Sequence, residues 1–256
     1  MSAASPALGL TDKAKSAIRH LLKALRWDLT RNLAYDRMTD EIIRRCVKPG
    51  DVCIDVGCHR GEIMDLLLKQ SDGPHWGFEP IPSFAEFLRA KYPATSQVHI
   101  QECALAETRG SARFQYVQNA PAYSGLKRRT YAVDNPAIEE IEVSVRTLDS
   151  FLPEMPRVDF LKIDVEGAEL GVLRGGLNLL QTRRPLVIFE CGLGASDHYG
   201  TEPTDIHTFF TRDCGYQLMT LKNFLSASES EGLQASEFKA LFDSNAEYYF
   251  MAVPIA

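Results

Sequence analysis

The sequence predicts one α/β domain on a doubly wound sheet. Seven strands, mostly parallel, have helices on both faces, and the last strand is antiparallel. Three observations carry this expectation. Apolar strand runs alternate with helical patterns, which implies parallel crossovers. Two strand-to-helix junctions, DVCIDVGCHRGE (51–62) and DFLKIDVEGAELGVLRGG (159–176), each end an apolar run in an acid and a Gly-containing turn. With 256 residues, 45% of them apolar, the chain is long enough for one sizeable core.

The elements follow in order. Residues 11–33 place Ala14, Ala17, Ile18, Leu21, Leu22, Leu25 and Leu29 at three- and four-residue steps, opposite Lys13, Lys15, Arg19, Lys23 and Arg26. This helix reads as a core cap or dimer contact, with an anionic membrane surface as the other reading. A second helix, 36–46, ends at Lys48-Pro49-Gly50. Residues 1–47 thus form an N-terminal helical segment packed on a main domain, 48–256. Strands are expected at 52–56, 76–78, 98–101, 158–163, 186–189, 216–221 and 248–253. Helices are expected at 62–69, 84–90, 166–180 and 204–212. Residues 226–237 are polar and read as a loop, so the final strand inserts antiparallel without a preceding helix. More than fifty residues separate the third strand from the fourth. Their partial alternation at 112–117 and 140–145 predicts a hairpin-like insertion carrying substrate contacts.

Composition narrows the function. A net charge of −6 argues against a general nucleic-acid binder. There is no apolar run of membrane-spanning length and no secretory signal. Six scattered cysteines without a C-x-x-C pair read as buried thiols in a cytoplasmic protein.

The chemistry is expected at the strand ends, where open α/β sheets bind ligands. Asp55 ends the first strand, and Gly57 and Gly61 allow a backbone to approach a ligand closely. Their spacing fits the dinucleotide fingerprint poorly. Glu79 ends the second strand, where a carboxylate can bind both hydroxyls of an adenosine ribose. Together the two junctions predict an adenosine-type cofactor. His59, in the glycine turn, is expected at the cofactor's polar tail. Asp164 and Glu190 end neighbouring strands and are candidates for a base or a divalent metal site such as Mg²⁺. A helix N-cap is the alternative for Asp164. Glu166 and Glu169 read as a helix-dipole acid and a solvated helix acid. His198, just past Glu190, is a candidate general base. The run KRR, 127–129, reads as a solvated face.

These residues resemble the FkbM-type S-adenosylmethionine-dependent methyltransferases, from about residue 42 onward. DVGCHRGE (55–62) looks like the family's cofactor motif, and FEP (78–80) like its ribose-binding acid. RTLDSF with DFLKIDVEGAELGVLRGG looks like its hallmark, and AYSGL (122–126) and the closing YYFMAVP are also similar. Cys58 and His59 stand where the motif has Ala-Asn, and Cys191 where relatives place a histidine. The resemblance implies a Rossmann-like class I methyltransferase fold over 48–256. It also implies O-methylation of a hydroxyl on a sugar, glycan or natural product. S-adenosylmethionine would be held by Asp55, Gly57, Cys58, His59, Gly61, Glu79, Pro80, Cys103, Ala104 and Asp164, with Asp164, Glu190 and His198 on the acceptor side. The alternatives are an NAD(P)-dependent oxidoreductase on a similar sheet and a non-catalytic binding module.

Overall fold

The computed structural model describes residues 31–93, 97–129, 131, 133, 135–226 and 231–255. The expected helix over 11–33 lies outside the described residues, apart from 31–33, which open helix α1 (Arg31–Cys46).

The main sheet has seven strands: β1 (Cys53–Val56), β2 (His75–Phe78), β3 (Val98–Gln101), β7 (Phe160–Ile163), β8 (Leu186–Glu190), β9 (Tyr216–Thr220) and β10 (Tyr249–Pro254). Its order is β3-β2-β1-β7-β8-β10-β9. The first five are parallel neighbours, and β10 runs antiparallel to both β8 and β9. β1 and β7 are buried along their whole length, as strands covered on both faces must be. The two-residue period divides their side chains between two cores. Ile54, Val56, Leu161, Ile163, Val187 and Phe189 enter one. Cys53, Phe160 and Ile188 enter the other, against Ile42 and Ile43 of α1, Met64 and Leu67 of α2 (Glu62–Leu68) and Leu88 of α3 (Pro82–Lys91). By the same parity Asp55 and Lys162 share that second face, and they are direct partners in the β1–β7 register.

The insertion forms its own three-stranded sheet. β4 (Ala104–Leu105) pairs parallel with β6 (Ile138–Arg146), which pairs antiparallel with β5 (Gly110–Val117). Phe114, Val143 and Val145 pack with Ile81, Phe84 and Ala104, so this sheet leans on the ends of β2 and β3.

Two expectations are corrected. The helix at 166–180 is two helices, α4 (Glu169–Arg174) and α5 (Leu177–Arg183). They part at Gly175, where a Cβ would lie 2.2 Å from the Ala106 carbonyl oxygen. The stretch between the last two strands holds α7 (Leu221–Leu225) and α8 (Ala235–Asp243), where a loop was expected. Polar composition hid α8. Its first turn is closed by a reciprocal Gln234–Glu237 capping box, and Phe238 and Phe242, four residues apart, are buried on one face. The remaining helix, α6 (Pro203–Thr208), runs into a π turn at Phe209–Asp213. Among the described residues no helix is long and apolar enough to cross a membrane.

Candidate active site

A cleft of about 440 Å³ opens at the carboxyl ends of β1, β2 and β7, where the chain order reverses across the sheet. Its first wall is the turn after β1. Gly57 has φ +84°, and a Cβ there would sit 2.0 Å from the Asp164 carbonyl oxygen. Only glycine lets the two strand ends come this close. The amides of Gly57 and Cys58 donate to the Phe78 carbonyl at 2.9 and 3.1 Å. The His59 amide donates to Glu79 Oε2 at 2.8 Å, and the Ile81 amide to Oε1 at 3.0 Å. Glu79 thus clasps both turns while lining the cleft. Burial pushes its carboxyl up to about 7, against the pull of those amides. Asp55 lies beneath, 1% exposed, and neither carboxylate oxygen meets a nitrogen or hydroxyl donor among the described residues. Burial raises it to about 6, opposed mainly by Lys162. Gly61, at φ +78°, precedes α2.

One end of the cleft is mainly apolar: Phe78, Ile81, Cys103, Ala104, Leu105 and Phe114. Pro121, Ala122, Ser124 and Leu126 of the insertion also line the cleft, with Leu126 packed against the cluster of Ile81, Ala104 and Phe114. The other end is polar and is built from Tyr35, Asp36, Thr39, Lys162, Asp164, Glu166 and Tyr249.

Asp164 follows β7, and its amide donates to the Val56 carbonyl at 3.0 Å. Its Oδ2 accepts from Lys162 Nζ at 2.7 Å and from the Tyr249 hydroxyl at 2.6 Å. Burial opposes the Asp164 charge, but Lys162 outweighs it, with Tyr249 assisting, and holds the carboxyl at about 2. Glu190 shows the opposite behaviour. Burial, and then the Asp164 charge, push it well above the carboxylate range, and it hydrogen-bonds Asp164 in its neutral form. Glu166, with φ +58°, ion-pairs with Arg129 of the insertion, whose guanidinium lies 5.1 Å from the Tyr123 ring centre. Glu169, expected in solvent, is 1% exposed and accepts from the Val165 and Gly167 amides at 3.0 and 3.1 Å. It holds the turn that carries Asp164.

Of the residues the sequence singled out, Gly57, Cys58, His59, Glu79, Pro80, Cys103, Ala104 and Asp164 line the cleft. Asp55, Gly61 and Glu190 stand behind them. His198 is exposed on the turn Ser196–Tyr199, away from the cleft lining. Of the KRR run, Lys127 and Arg128 are exposed and Arg129 is half-buried. Arg128 donates to Gln115 at 3.1 Å, the Lys127 amide donates to the Tyr199 hydroxyl at 2.9 Å, and Arg129 meets Glu166. Sequence reasoning missed Tyr35, Asp36, Thr39, Lys162 and Tyr249. Lys162 carried a signal: a lone charge inside the apolar run FLKI.

Residues 55–218 match the FkbM methyltransferase domain. Methyltransferase 1 of Beauveria bassiana (strain ARSEF 2860) is 33% identical over 116 residues, covering 38% of this chain and 47% of its own. Methyltransferase sdnD of Sordaria araneosa is 29% identical over 153 residues, covering 48% of this chain and 59% of its own. The chain spans about half the length of the curated relatives it matches. Among solved structures, the FkbM methyltransferase of Methylobacillus flagellatus KT aligns with 94% of this chain and 60% of its own, at a TM-score of 0.48 and 13% identity. The domain match extends over more than half of the sequence, from the first strand-end acid to β9, and on that ground the chain belongs to the FkbM methyltransferase family.

Proposed function

We propose that this chain is an S-adenosylmethionine-dependent O-methyltransferase acting on a hydroxyl of a small acceptor such as a sugar, glycan or natural product. The observation that carries the reading is a single cleft with Glu79 on one wall and Asp164, held by Lys162 and Tyr249, on the other. The six free thiols, five of them buried, fit a reducing compartment such as the cytoplasm.

The donor would supply a methyl already activated on a sulfonium. Each Glu79 oxygen accepts one backbone amide and keeps a lone pair for a ribose hydroxyl. The apolar wall from Ile81 to Phe114 suits a flat base. Gly57, Cys58, His59 and Gly61 shape the turn for the amino-acid tail, and buried Asp55 supplies negative charge beneath it. Asp164 receives the acceptor's proton. Held at about 2, it is too weak a base to deprotonate a free alcohol beforehand. It takes the proton late, as the oxygen's lone pair forms the new C–O bond and the C–S pair returns to sulfur. At that stage the oxygen has become strongly acidic. Glu190 keeps its own proton and orients Asp164. His198 has no part in this arrangement.

Labelled-methyl transfer, screened over nucleotide sugars, glycans and polyol natural products, tests the reading, with calorimetry of S-adenosylmethionine and NAD beside it. Donor binding and a methylated hydroxyl are expected. Binding of NAD alone would turn the reading to an oxidoreductase, and binding of neither to a non-catalytic module.

A further inference from the structure

We propose that Lys162 is the resident cation of the reaction centre, standing where a divalent metal would otherwise bridge the strand-end carboxylates, so that Asp164 is charged and oriented without a metal ion. The inference rests on the methyl-transfer reading and deepens it.

Asp164, Glu166 and Glu190 each bring one oxygen within 4.8 Å of the others, a grouping with the look of a cation site. Its charges are already met. Lys162 Nζ donates to Asp164 Oδ2 at 2.7 Å, and the Tyr249 hydroxyl uses the same oxygen at 2.6 Å. Arg129 reaches from the insertion to Glu166. A hard divalent ion needs several oxygen ligands at about 2.0–2.6 Å, with lone pairs to spare. Here the central oxygen already accepts two hydrogen bonds, and a positive charge stands within hydrogen-bond distance of it.

Lys162 cannot swing aside as a surface lysine would. It sits within β7, 5% exposed, with Asp55 and Ile188 as its partners across the parallel ladder. Its Nζ lies 5.6 Å from the centre of the Tyr249 ring. Leaving Asp164 would strand a buried ammonium, which is strongly unfavourable. The same ammonium lines the cleft. It has three N–H donors, one of which serves Asp164. Lys162 is therefore a positioning residue acting through Asp164. It is charged, immobile and built into the strand.

The test needs no acceptor. Mn²⁺ is titrated by calorimetry and water-proton relaxation into the full chain with S-adenosylhomocysteine present. The wild type, Lys162→Met and Lys162→Arg are compared. The wild type and Lys162→Arg should bind no Mn²⁺ up to millimolar concentration. Lys162→Met should gain a site at least tenfold tighter, an effect that loss of packing alone does not produce. Micromolar Mn²⁺ binding by the wild type, removed by chelation, would overturn the proposal. So would a folded Lys162→Met that gains no site. If Lys162→Met does not fold, Lys162→Gln replaces it under the same criteria. S-adenosylhomocysteine binding by the wild type reports separately on the methyl-transfer reading. Its failure would sink that reading, whatever Mn²⁺ does.

Discussion

Replacing Glu79 by Gln probes the donor wall with one atom changed. The carboxylate accepts from two backbone amides, His59 and Ile81. Gln offers one acceptor oxygen, so one amide would face an NH₂ group and lose its partner. Leaving a buried donor unsatisfied costs about 1–3 kcal/mol. A second effect opposes this one. Raising the carboxyl from 4.5 to about 7 corresponds to roughly 3 kcal/mol held against its charged form. The sign follows from proton binding. The folded state holds the Glu79 proton more tightly than the unfolded chain, so this group's contribution to stability falls as pH rises from 4.5 to 7. Gln does not titrate. The stability deficit of Glu79→Gln should therefore be largest near pH 5 and should shrink or vanish by pH 8, as read by urea unfolding at both pH values. Donor binding adds a third readout. A ribose diol prefers the charged carboxylate, so donor binding to the wild type should release protons between pH 5 and 8. Calorimetry in buffers of different ionisation enthalpy measures that release. Glu79→Gln should bind the donor about 10- to 100-fold more weakly, the scale of lost charge-assisted hydrogen bonds, and its binding should lack the Glu79-linked proton release. Equal donor affinity in the two proteins, or a stability deficit independent of pH, would refute this reasoning.

Four further outcomes are expected. Asp164→Asn should keep donor affinity within about threefold and lower turnover by about 10²-fold or more, the scale of losing a proton acceptor. With Asp164 held at about 2, the wild-type pH–rate profile should show no acidic limb from this group above pH 4. Glu190→Gln preserves the shape of the neutral acid and its donor, so turnover should stay within about fivefold of wild type, whereas Glu190→Ala should fall with Asp164→Asn; a dead Glu190→Gln would return Glu190 to the role of base. Gly57→Ala places a methyl 2.0 Å from the Asp164 carbonyl at a left-handed φ, and thermal melts should show destabilisation of at least about 2 kcal/mol.

The sheet was legible because buried parallel strands write themselves as apolar runs, and their alternation with helices leaves little freedom of topology. Strand-end acids were legible for a related reason: Asp55, Glu79 and Asp164 each interrupt an apolar run where the strand meets its turn. What escaped notice depends on contacts between distant segments. Tyr35, Asp36 and Thr39 reach the cleft only because α1 packs on the β1 face, and nothing local in that helix marks one turn as facing a ligand. Tyr249 is one of three consecutive aromatics, and its pairing opposite Glu190 in the antiparallel register selects it. His198 drew attention through its nearness in sequence to Glu190, yet the turn Ser196–Tyr199 sends it outward while Tyr199 ties to the insertion. The insertion was expected to carry substrate contacts. Its apolar residues meet Ile81 and Ala104 at one end of the cleft, and its Arg129 reaches Glu166 at the other, a placement that only the folded sheet reveals.

The most direct measurement is a crystal structure with S-adenosylhomocysteine bound. The account predicts both ribose hydroxyls on the Glu79 carboxylate, the base against Ile81, Ala104 and Phe114, and the thioether sulfur directed toward the polar end at Asp164 and Lys162. A ligand whose ribose lies away from Glu79, or whose sulfur points away from Asp164, would contradict it.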